Sequence, residues 1–392
     1  MLHPHLPIEM NTEAGTAIRL NPFKGLAGPE GTPVPWSPYG RILEQRPVFT
    51  LDPLFHAGCY YVQDSSAMFV GHIFRRALAS VGRPGIRVLD LCAAPGGKTT
   101  DLAASLREAF GDEFLLVSNE VMKDRSRILC DNVAIWGDPN VMVTSADPAA
   151  FGRFPGYFDI IVADVPCSGE GMFRKDPKAV EQWSEQTVQL CAARQKRILA
   201  DVWPALRQGG VLVYSTCTYE DCENDANLEW AATGLGGDIV APKDEFSDWG
   251  VEITRHGNLL RAGVVPGEGQ WAGMLVKTSP EGSCPRSDLS QSIKPLRYGI
   301  PAGTLKGGKL IPDPDYALSL GYRGEYPTIE LDRRQALAYL HHDALRFPEA
   351  PRGFNLVAYR GHPLGFVNNL GTRVNTLHPL ARRILMNIDQ VE

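Results

Sequence analysis

Alternation of short apolar segments with amphipathic helical patterns, between residues 86 and 214, constrains the fold of this chain more than any other feature. Apolar runs typical of buried strands occupy residues 86–91, 114–117, 141–143, 158–163 and 211–214. The segments between them repeat apolar residues at helical spacing, at 98–110, 121–133 and 179–205. Strands that alternate with helices build a parallel sheet covered on both faces. The sequence therefore predicts an α/β, doubly wound, Rossmann-like fold with strand order 3-2-1-4-5.

The segments on either side of this core differ from it in composition. Residues 1–58 are rich in Pro and Gly, which predicts a small, loop-rich N-terminal lead-in subdomain. Residues 59–279 form the predicted Rossmann-like domain, and residues 280–292, rich in Ser, Pro and Gly, form a predicted linker. Helical and strand patterns return in residues 293–392, so we expect a separate C-terminal α+β domain there.

Bulk composition excludes several classes of protein. With 44% hydrophobic and 21% charged residues, the 392-residue chain is typical of a globular protein and not of a disordered one. No apolar run approaches the roughly 20 residues of a membrane helix, and residues 1–10 lack the pattern of a secretory signal. The eight cysteines show neither Cys-x-x-Cys nor zinc-ligand spacing. We expect a cytoplasmic monomer without a metal site or a membrane partner.

The distribution of charge is more informative than the net charge of −6. Residues 286–392 contain 14 Lys and Arg against 10 Asp and Glu. Between Arg352 and Ile388 there are five arginines and no acidic residue. Such a stretch fits contacts with nucleic-acid phosphates, although a solvated basic surface gives the same pattern.

The first predicted strand leads into a Gly-rich loop at the position where ligands bind in open α/β sheets. Residues 90–100 pass through small residues into a helix, and small residues let the backbone approach a ligand closely. The helix N-terminus favours a carboxylate. We predict a nucleotide-type cofactor here, bound by Cys92, Ala93, Ala94, Pro95, Gly96, Gly97 and Lys98. A purely structural turn is the alternative.

Two acidic residues follow the next strands of the predicted sheet. Glu120 comes after the second strand, where an acid binds ribose hydroxyl groups. Asp147 comes after the third strand and is a candidate for contact with an adenine amino group. Together with the loop, they predict the order of elements of a nucleotide site.

Chemically reactive side chains follow the fourth and fifth predicted strands. Asp164 and Cys167 come after the fourth strand, and Cys217 comes after the fifth. In the predicted strand order these side chains converge on the crevice beside Lys98. A thiolate that adds to carbon 6 of cytosine makes carbon 5 nucleophilic toward a methyl donor, and an acid such as Asp164 near N3 stabilises the adduct. The alternatives are buried structural cysteines, and a Lys98 that only places charge at the loop.

These motifs closely resemble those of the Nop/Sun family of RNA cytosine-5 methyltransferases, above all the bacterial members that modify small-subunit ribosomal RNA. The similarity covers roughly residues 20–277, and its matching segments are 60–67, 90–100, 164–177, 215–224 and 267–269. Its most specific element is the combination of Pro-Cys at 166–167 with Thr-Cys-Thr at 216–218.

The resemblance implies residue roles as well as a fold. It implies S-adenosylmethionine as the methyl donor, with contacts from residues 92–98, Glu120, Asp147 and Asp164. It assigns the attack on cytosine to Cys217 and product release to Cys167. Residues 331–388 look like the PUA-like, RNA-binding C-terminal extension of the bacterial enzymes, which implies an RNA partner.

The chain departs from the family pattern in two places. Val165 stands where the family usually has alanine between Asp and Pro, a conservative change that should preserve the chemistry. The helical segment that usually precedes the strand at residues 18–22 is mostly missing, which predicts weaker docking onto RNA.

The favoured function is therefore formation of 5-methylcytidine in small-subunit ribosomal RNA, free or within the subunit. The predicted catalytic residues are Cys217, Cys167, Asp164 and Lys98. One alternative is a transfer RNA cytosine-5 methyltransferase. A second is a non-catalytic RNA-binding factor for ribosome assembly, which the four intact residues disfavour. A third is a DNA or small-molecule methyltransferase, which the second cysteine motif and the C-terminal extension disfavour.

Overall fold

The N-terminal part of the protein forms a small antiparallel sheet. The computed structural model describes residues 15–175, 177–242, 244–280, 282 and 289–388. The strands of this sheet are β1 (Thr16–Leu20), β2 (Thr32–Pro33), β3 (Gly40–Leu43) and β4 (Tyr60–Val62), in the order β2-β3-β1-β4, with the short helix α1 (Pro53–His56) before β4. The sequence predicted one strand here, because strands of two to four residues leave too little alternation to detect.

The central sheet has parallel strands at its core. These strands are β5 (Ile86–Asp90), β6 (Phe114–Asn119), β7 (Val141–Thr144), β8 (Phe158–Asp164) and β9 (Leu206–Thr216). They lie in the order β7-β6-β5-β8-β9, and all four adjacent pairs are parallel. The predicted order 3-2-1-4-5 is therefore confirmed. The carboxyl ends of β5, β8 and β9 meet at one edge of the sheet.

Antiparallel strands extend this sheet beyond β9. They are β10 (Gly237–Val240), β11 (Glu252–Ile253), β12 (Gly257–Leu260) and β13 (Gln270–Lys277). The longest, β13, pairs with β9 from Trp271 opposite Thr216 to Val276 opposite Val211. These strands were not predicted, because β13 is buried along nearly its whole length and so lacks the polar–apolar alternation of a half-exposed strand.

Helices cover both faces of the central sheet. They are α2 (Phe69–Val81), α3 (Gly97–Phe110), α4 (Lys123–Trp136), α5 (Pro148–Phe151), α6 (Pro177–Gln182), α7 (Glu185–Val202) and α8 (Asp225–Ala231). Neighbouring residues of β5 belong to different cores, since Val88 packs with α2 and α3 while Leu89 packs with α7. The strand is therefore buried on both faces, which explains its uninterrupted apolar sequence.

The helix predicted over residues 179–205 is in fact interrupted. The Ser184 hydroxyl accepts a hydrogen bond from the Thr187 backbone N–H at 3.1 Å and begins α7 as an N-cap. A serine at this position starts a new helix because its side chain satisfies an N–H that has no partner within the helix. The last predicted turn is a 3-10 helix over Trp203–Ala205.

The C-terminal part contains a second small sheet. Its elements are α9 (Leu289–Ser292), β14 (Arg297–Tyr298), β15 (Gly303–Lys306), β16 (Lys309–Pro312), β17 (Thr328–Leu331), α10 (Arg333–His341), β18 (Gly353–Tyr359), β19 (His362–Asn369) and β20 (Val374–Thr376). Strands β17 to β20 form one sheet in that order, whereas β14 pairs with β7 of the central sheet. The predicted linker 280–292 lies largely outside the described residues, and the domain boundaries stay predictions. In the described part of the chain, no helix is long and apolar enough to cross a membrane.

Candidate active site

The Gly-rich loop joins β5 to α3 at the carboxyl edge of the parallel strands. Gly96 immediately precedes α3 with φ of 115°, a conformation that favours glycine, and an added Cβ would lie 3.3 Å from Leu129. No side chain caps α3, so the first N–H groups of this helix have no capping partner. The loop therefore presents a helix N-terminus suited to a carboxylate ligand.

Side chains of α4 hold the backbone of this loop. Arg125 donates a hydrogen bond to the Ala94 carbonyl at 2.8 Å, and Asn132 donates one to the Pro95 carbonyl at 2.7 Å. On the other side, the Ala93 N–H donates to the Asn119 carbonyl at 2.8 Å. The loop is thus fixed by its neighbours before any ligand binds.

Asp90, at the end of β5, is a polar group whose burial the sequence did not reveal. Its side chain is fully buried, and Oδ2 accepts a hydrogen bond from the Thr99 hydroxyl at 2.7 Å. Its other oxygen, Oδ1, has no hydrogen-bond partner among the described residues. Burial raises the pKa of Asp90 to about 7. An acceptor of this kind at the loop fits the ammonium group of a ligand.

The two acids predicted to contact a nucleotide differ in their surroundings. Glu120 is buried, accepts a hydrogen bond from the Met122 N–H at 2.9 Å and lies 3.4 Å from the Arg125 guanidinium. Asp147 is exposed and caps α5 by accepting a hydrogen bond from the Ala149 N–H at 3.0 Å. Asp147 therefore has a structural role whether or not it contacts a ligand.

Lys98, in the first turn of α3, contacts Asp164 at the end of β8. Their Nζ and Oδ2 atoms lie 2.8 Å apart. Burial disfavours the charged form of Lys98, but the carboxylate of Asp164 outweighs this effect and raises the lysine pKa. Ser215, which stands beside Asp164 in the parallel register, donates its hydroxyl to Oδ1 at 2.7 Å.

The two cysteines predicted to carry the chemistry face each other. The sulfur atoms of Cys167 and Cys217 lie 3.0 Å apart, and the Cys217 N–H donates to the Cys167 sulfur at 3.2 Å. The hydrogen bond with Cys217, together with burial, raises the pKa of Cys167. Lys98 adds a cation to this arrangement, because its raised pKa keeps the ammonium charged beside Asp164. The predicted quartet Lys98, Asp164, Cys167 and Cys217 is thus brought together by three strand ends.

Three further segments with motif similarity meet beside the cysteines. Glu268 accepts a hydrogen bond from Arg174 at 3.2 Å, and its own N–H donates to Asp64 at 3.2 Å. Arg174 also donates to the Gly267 carbonyl at 2.8 Å. The pair is almost fully buried, and it ties the loop that follows Cys167 to the N-terminal sheet and to the loop before β13. The sequence showed these segments but not their contact.

Sequence reasoning did not single out three buried polar side chains near the cysteines. Glu223 accepts a hydrogen bond from the Ser168 N–H at 3.1 Å and another from Gln195 at 2.7 Å. Gln270 donates to the Thr216 carbonyl at 2.7 Å. Glu223 was visible only as part of a motif, and Gln195 and Gln270 resemble ordinary surface residues of a helix and a strand. No pattern in one sequence distinguishes such residues from solvated ones.

The fold and this site define a Rossmann-like methyltransferase. A model described as 16S rRNA methyltransferase RsmB/F matches residues 80–233. Models of the N-terminal domain of 16S rRNA methyltransferase RsmF and of the methyltransferase RsmF PUA domain match residues 7–65 and 326–384. These three matches confirm the resemblance to the RsmB/F family and the PUA-like C-terminal domain.

Individual proteins support the same assignment. Proteins named ribosomal RNA small subunit methyltransferase F, from Shigella boydii and Cronobacter sakazakii, are each 38% identical over 222 residues. The match covers 54% of this chain but only 44% of each relative, so it spans less than half of their length. A methyltransferase homologue from Pyrococcus horikoshii superimposes with a TM-score of 0.55 at 26% identity, covering 68% of this chain and 88% of its own.

S-adenosylmethionine is the cofactor of this methyltransferase, and the residues present fit it. The unpartnered Oδ1 of Asp90 suits an ammonium group, and the uncapped start of α3 suits a carboxylate, so the two ends of an amino acid have complementary sites. Among the described residues, no group of three His, Cys, Asp or Glu side chains is arranged to hold a metal ion.

Proposed function

We propose that this protein methylates carbon 5 of a cytosine in small-subunit ribosomal RNA, with Cys217 as the nucleophile. The observation that carries the proposal is the pair of sulfur atoms 3.0 Å apart, beside the Lys98–Asp164 contact of 2.8 Å. Two free thiols at one edge of a methyltransferase sheet fit a reaction in which one sulfur adds to the base and the other assists its release.

Attack by Cys217 forms a bond between its sulfur and carbon 6 of the ring. The electron pair of the carbon 5–carbon 6 double bond moves toward N3, which takes up a proton. We propose that this proton comes from the Lys98 ammonium and reaches N3 through the Asp164 carboxyl group that contacts it. Before the attack, the same ammonium is a counter-charge for the thiolate. Its proton moves toward N3 as the thiolate charge is lost in the new carbon–sulfur bond.

Carbon 5 then carries the nucleophilic electron pair. S-adenosylmethionine, when bound, supplies an electrophilic methyl group. We propose that the Gly-rich loop, Lys98 and nearby acidic residues hold this cofactor at the carboxyl edge of the sheet. The loop residues are Cys92, Ala93, Ala94, Pro95, Gly96 and Gly97, and the acidic residues are Asp90, Glu120, Asp147 and Asp164. Their part is to orient the methyl group toward the base and to keep water from the reacting atoms.

Release requires loss of the carbon 5 proton and cleavage of the bond between carbon 6 and sulfur. The carbon 5 proton passes to water, the N3 proton returns to the Asp164–Lys98 pair, and Cys217 leaves as a thiolate. The raised pKa of Cys167 keeps this thiol protonated at neutral pH. Its S–H can therefore donate a hydrogen bond to the departing Cys217 sulfur, 3.0 Å away. Cys167 therefore stabilises the leaving group.

The RNA substrate is inferred from the adjoining PUA domain and from the relatives of the chain. The PUA domain match and the names of the relatives favour ribosomal RNA. The N-terminal part of the chain also lies near the reacting edge, since Asp64 accepts a hydrogen bond from the Glu268 N–H. Cytosine has to be unstacked for sulfur to reach carbon 6 from above the ring. We propose that the flanking domains bind RNA that presents such a base, in the cytoplasm.

The test is transfer of labelled methyl groups to unmodified RNA, with Cys217→Ala and Cys167→Ala in parallel. Ribosomal RNA, assembled small subunits and transfer RNA are assayed separately and digested to nucleosides. We expect 5-methylcytidine in the small-subunit samples, none with Cys217→Ala, and a denaturation-resistant protein–RNA adduct with Cys167→Ala. Label in transfer RNA alone would overturn the substrate, and no label in any sample would favour a non-catalytic RNA-binding factor.

A further inference from the structure

Two buried side chains, which we call the Glu223–Gln195 clamp, hold the peptide groups on both sides of Cys167. The Glu223 carboxylate accepts a hydrogen bond from the Ser168 N–H at 3.1 Å. Gln195 donates to the Pro166 carbonyl at 3.0 Å and to the Glu223 carboxylate at 2.7 Å. Glu223 and Gln195 are both fully buried. The backbone that carries Cys167 is thus fixed on either side of its sulfur.

Rigid elements in turn anchor the clamp. The Oε1 atom of Gln195, on α7, accepts hydrogen bonds from Tyr214 of β9 at 3.1 Å and from Asn227 of α8 at 2.7 Å. The single proton of the Tyr214 hydroxyl is shared with the Glu223 carbonyl, which lies 2.5 Å away. Both ends of the Gln195 amide are therefore engaged, so the side chain has one orientation.

Such a network is costly for a protein core. Buried polar groups lose their hydration, and apolar side chains of similar volume stabilise a core at least as well. Burial raises the pKa of Glu223, against the opposing effect of its hydrogen bonds from Ser168 and Gln195. Hydrogen-bonded networks of this kind rigidify the segments they hold, so the backbone at Cys167 is fixed in position.

The two cysteines depend on this clamp to different degrees. Cys217 directly follows β9, and its carbonyl accepts a hydrogen bond from the Gly171 N–H at 2.9 Å. Cys167 lies in a loop beyond the end of β8, where the clamp holds the peptide groups on either side of it and the Ser168 hydroxyl lies 2.8 Å from that of Thr218. Loss of the clamp should therefore displace Cys167 while the sheet still holds Cys217.

We propose that Glu223 and Gln195 are positioning residues that hold Cys167 against Cys217 for the release step. The clamp is then needed to break the bond between Cys217 and cytosine and not to form it. This inference rests on the proposed function, because release is defined only if Cys217 forms an adduct.

The first test uses Gln195→Met and Glu223→Leu, which keep side-chain size and remove the hydrogen bonds. Loss of a buried hydrogen bond is expected to slow release about tenfold, so the covalent protein–RNA adduct should accumulate as it does in Cys167→Ala. The first round of methyl transfer and the affinity for S-adenosylmethionine should stay close to those of the wild type. Glu223→Gln, which keeps an acceptor for Ser168, should restore release.

Thr254→Val provides a matched control. The Thr254 hydroxyl accepts hydrogen bonds from Trp271 at 3.0 Å and from the Gly257 N–H at 3.1 Å, and it donates one to Asp225 at 2.8 Å. The substitution removes these bonds, and none of them involves Glu223 or Gln195. This variant should show no adduct. If Gln195→Met and Glu223→Leu lose methyl transfer without adduct, or Thr254→Val accumulates as much adduct, the clamp is merely structural and the proposal is wrong. If Cys167→Ala transfers methyl groups without adduct, the release role and this proposal both fail.

A second measurement needs no RNA. The dithiol oxidant diamide accepts two electrons and two protons from Cys167 and Cys217 and leaves a disulfide, at a rate that depends on the distance between the sulfurs. Gln195→Met and Glu223→Leu should form this disulfide about tenfold more slowly than the wild type and Thr254→Val. Equal rates in all variants would overturn the positioning role even if the proposed function holds. If the wild type transfers no methyl group but the variants still form the disulfide more slowly, the proposed function is wrong. The clamp would then still position Cys167 against Cys217.

Discussion

The Nζ atom of Lys98 lies 2.8 Å from Oδ2 of Asp164, although the two residues belong to different elements and are 66 positions apart. Parallel strands β5 and β8 are neighbours, so the helix after β5 and the end of β8 meet. Because Asp164 raises its pKa, Lys98 stays charged through neutral pH in spite of burial. A largely buried cation, with a side chain 16% exposed, is thereby available beside Asp164 and Cys217.

Lys98→Met should abolish most of the activity. It removes the counter-charge of the thiolate and the proton partner of Asp164, and such proton-transfer groups contribute about 10²–10⁴-fold to rates. Single-turnover methyl transfer to small-subunit RNA measures the loss. Lys123→Met, a change of the same type at an exposed position at the start of α4, serves as the control. Equal rates for the two variants would contradict a catalytic role for Lys98.

Asp90→Asn should separate ligand binding from stability. A charge-assisted hydrogen bond contributes about 1.5–3 kcal/mol, so the affinity for S-adenosylmethionine should fall roughly 10- to 100-fold. Binding to the wild type should also weaken as pH falls below about 7, the raised pKa of Asp90, because its carboxylate becomes protonated. Titration calorimetry at pH 6 and pH 8 tests both effects. Unchanged affinity in the variant would exclude Asp90 from the site.

The same substitution should change the pH dependence of folding. The pKa of Asp90 is about 7 in the folded protein and 3.8 without burial, so the folded state holds its proton more tightly. Stability from this group is therefore present at low pH and lost as pH rises through about 7. We expect ligand-free Asp90→Asn to melt at a higher temperature than the wild type at pH 8, with the difference shrinking toward pH 5. A constant difference across this range would contradict the assignment.

Glu268→Ala should destabilise the protein strongly. Removing one partner of a buried ion pair costs about 3–5 kcal/mol, because the other charge stays buried. Arg174 and Glu268 are only 5% and 2% exposed. The control is Glu252→Ala, which breaks the exposed pair with Arg261 and should cost about 0–1 kcal/mol. Urea unfolding measures the free energy of unfolding of both variants. Equal losses of this free energy would show that the Arg174–Glu268 pair contributes no more than an exposed ion pair.

Arg382→Ala should loosen the C-terminal part from the central sheet. Arg382 binds Asp315 at 2.6 Å and Asp131 of α4 at 2.8 Å. Asp315 keeps Arg297 as a partner, so the loss should stay below about 3 kcal/mol. Hydrogen exchange over residues 326–384 should rise, whereas exposed Arg383→Ala should have no effect. Unchanged exchange in Arg382→Ala would contradict a docking role.

This docking should also respond to acid. Burial opposes the charge of Asp315, but hydrogen bonds and attraction from Arg382 and Arg297 outweigh it and hold its pKa below 3.8. A lowered carboxyl pKa stabilises the folded state above the unfolded value and loses this effect as pH falls. Exchange over residues 326–384 should therefore rise below about pH 4 in the wild type. The Arg382→Ala variant should show a smaller change, and an identical profile would contradict the assignment.

The sequence by itself determined the class of fold and the strand order, and it predicted the reactive residues. Apolar runs such as 158–163 are long enough to identify strands buried on both faces, and the topology then places Asp164, Cys167 and Cys217 at one edge. It did not reveal β13, because a strand that is buried along nearly its whole length has no alternation to detect. The break before α7 depends on one serine cap, which a helical periodicity does not register.

Only the tertiary structure decided which polar groups are buried and what they contact. Asp90, Gln195 and Glu223 have ordinary sequence surroundings. The burial of Asp90, and the hydrogen bonds of Gln195 and Glu223 to residues distant in the chain, appear only in the folded structure. The 3.0 Å separation of the two sulfur atoms likewise results from the packing of β8 against β9. Local sequence determines local periodicity and chemistry, whereas burial and distance are properties of elements packed together, and these set the charge states of the site.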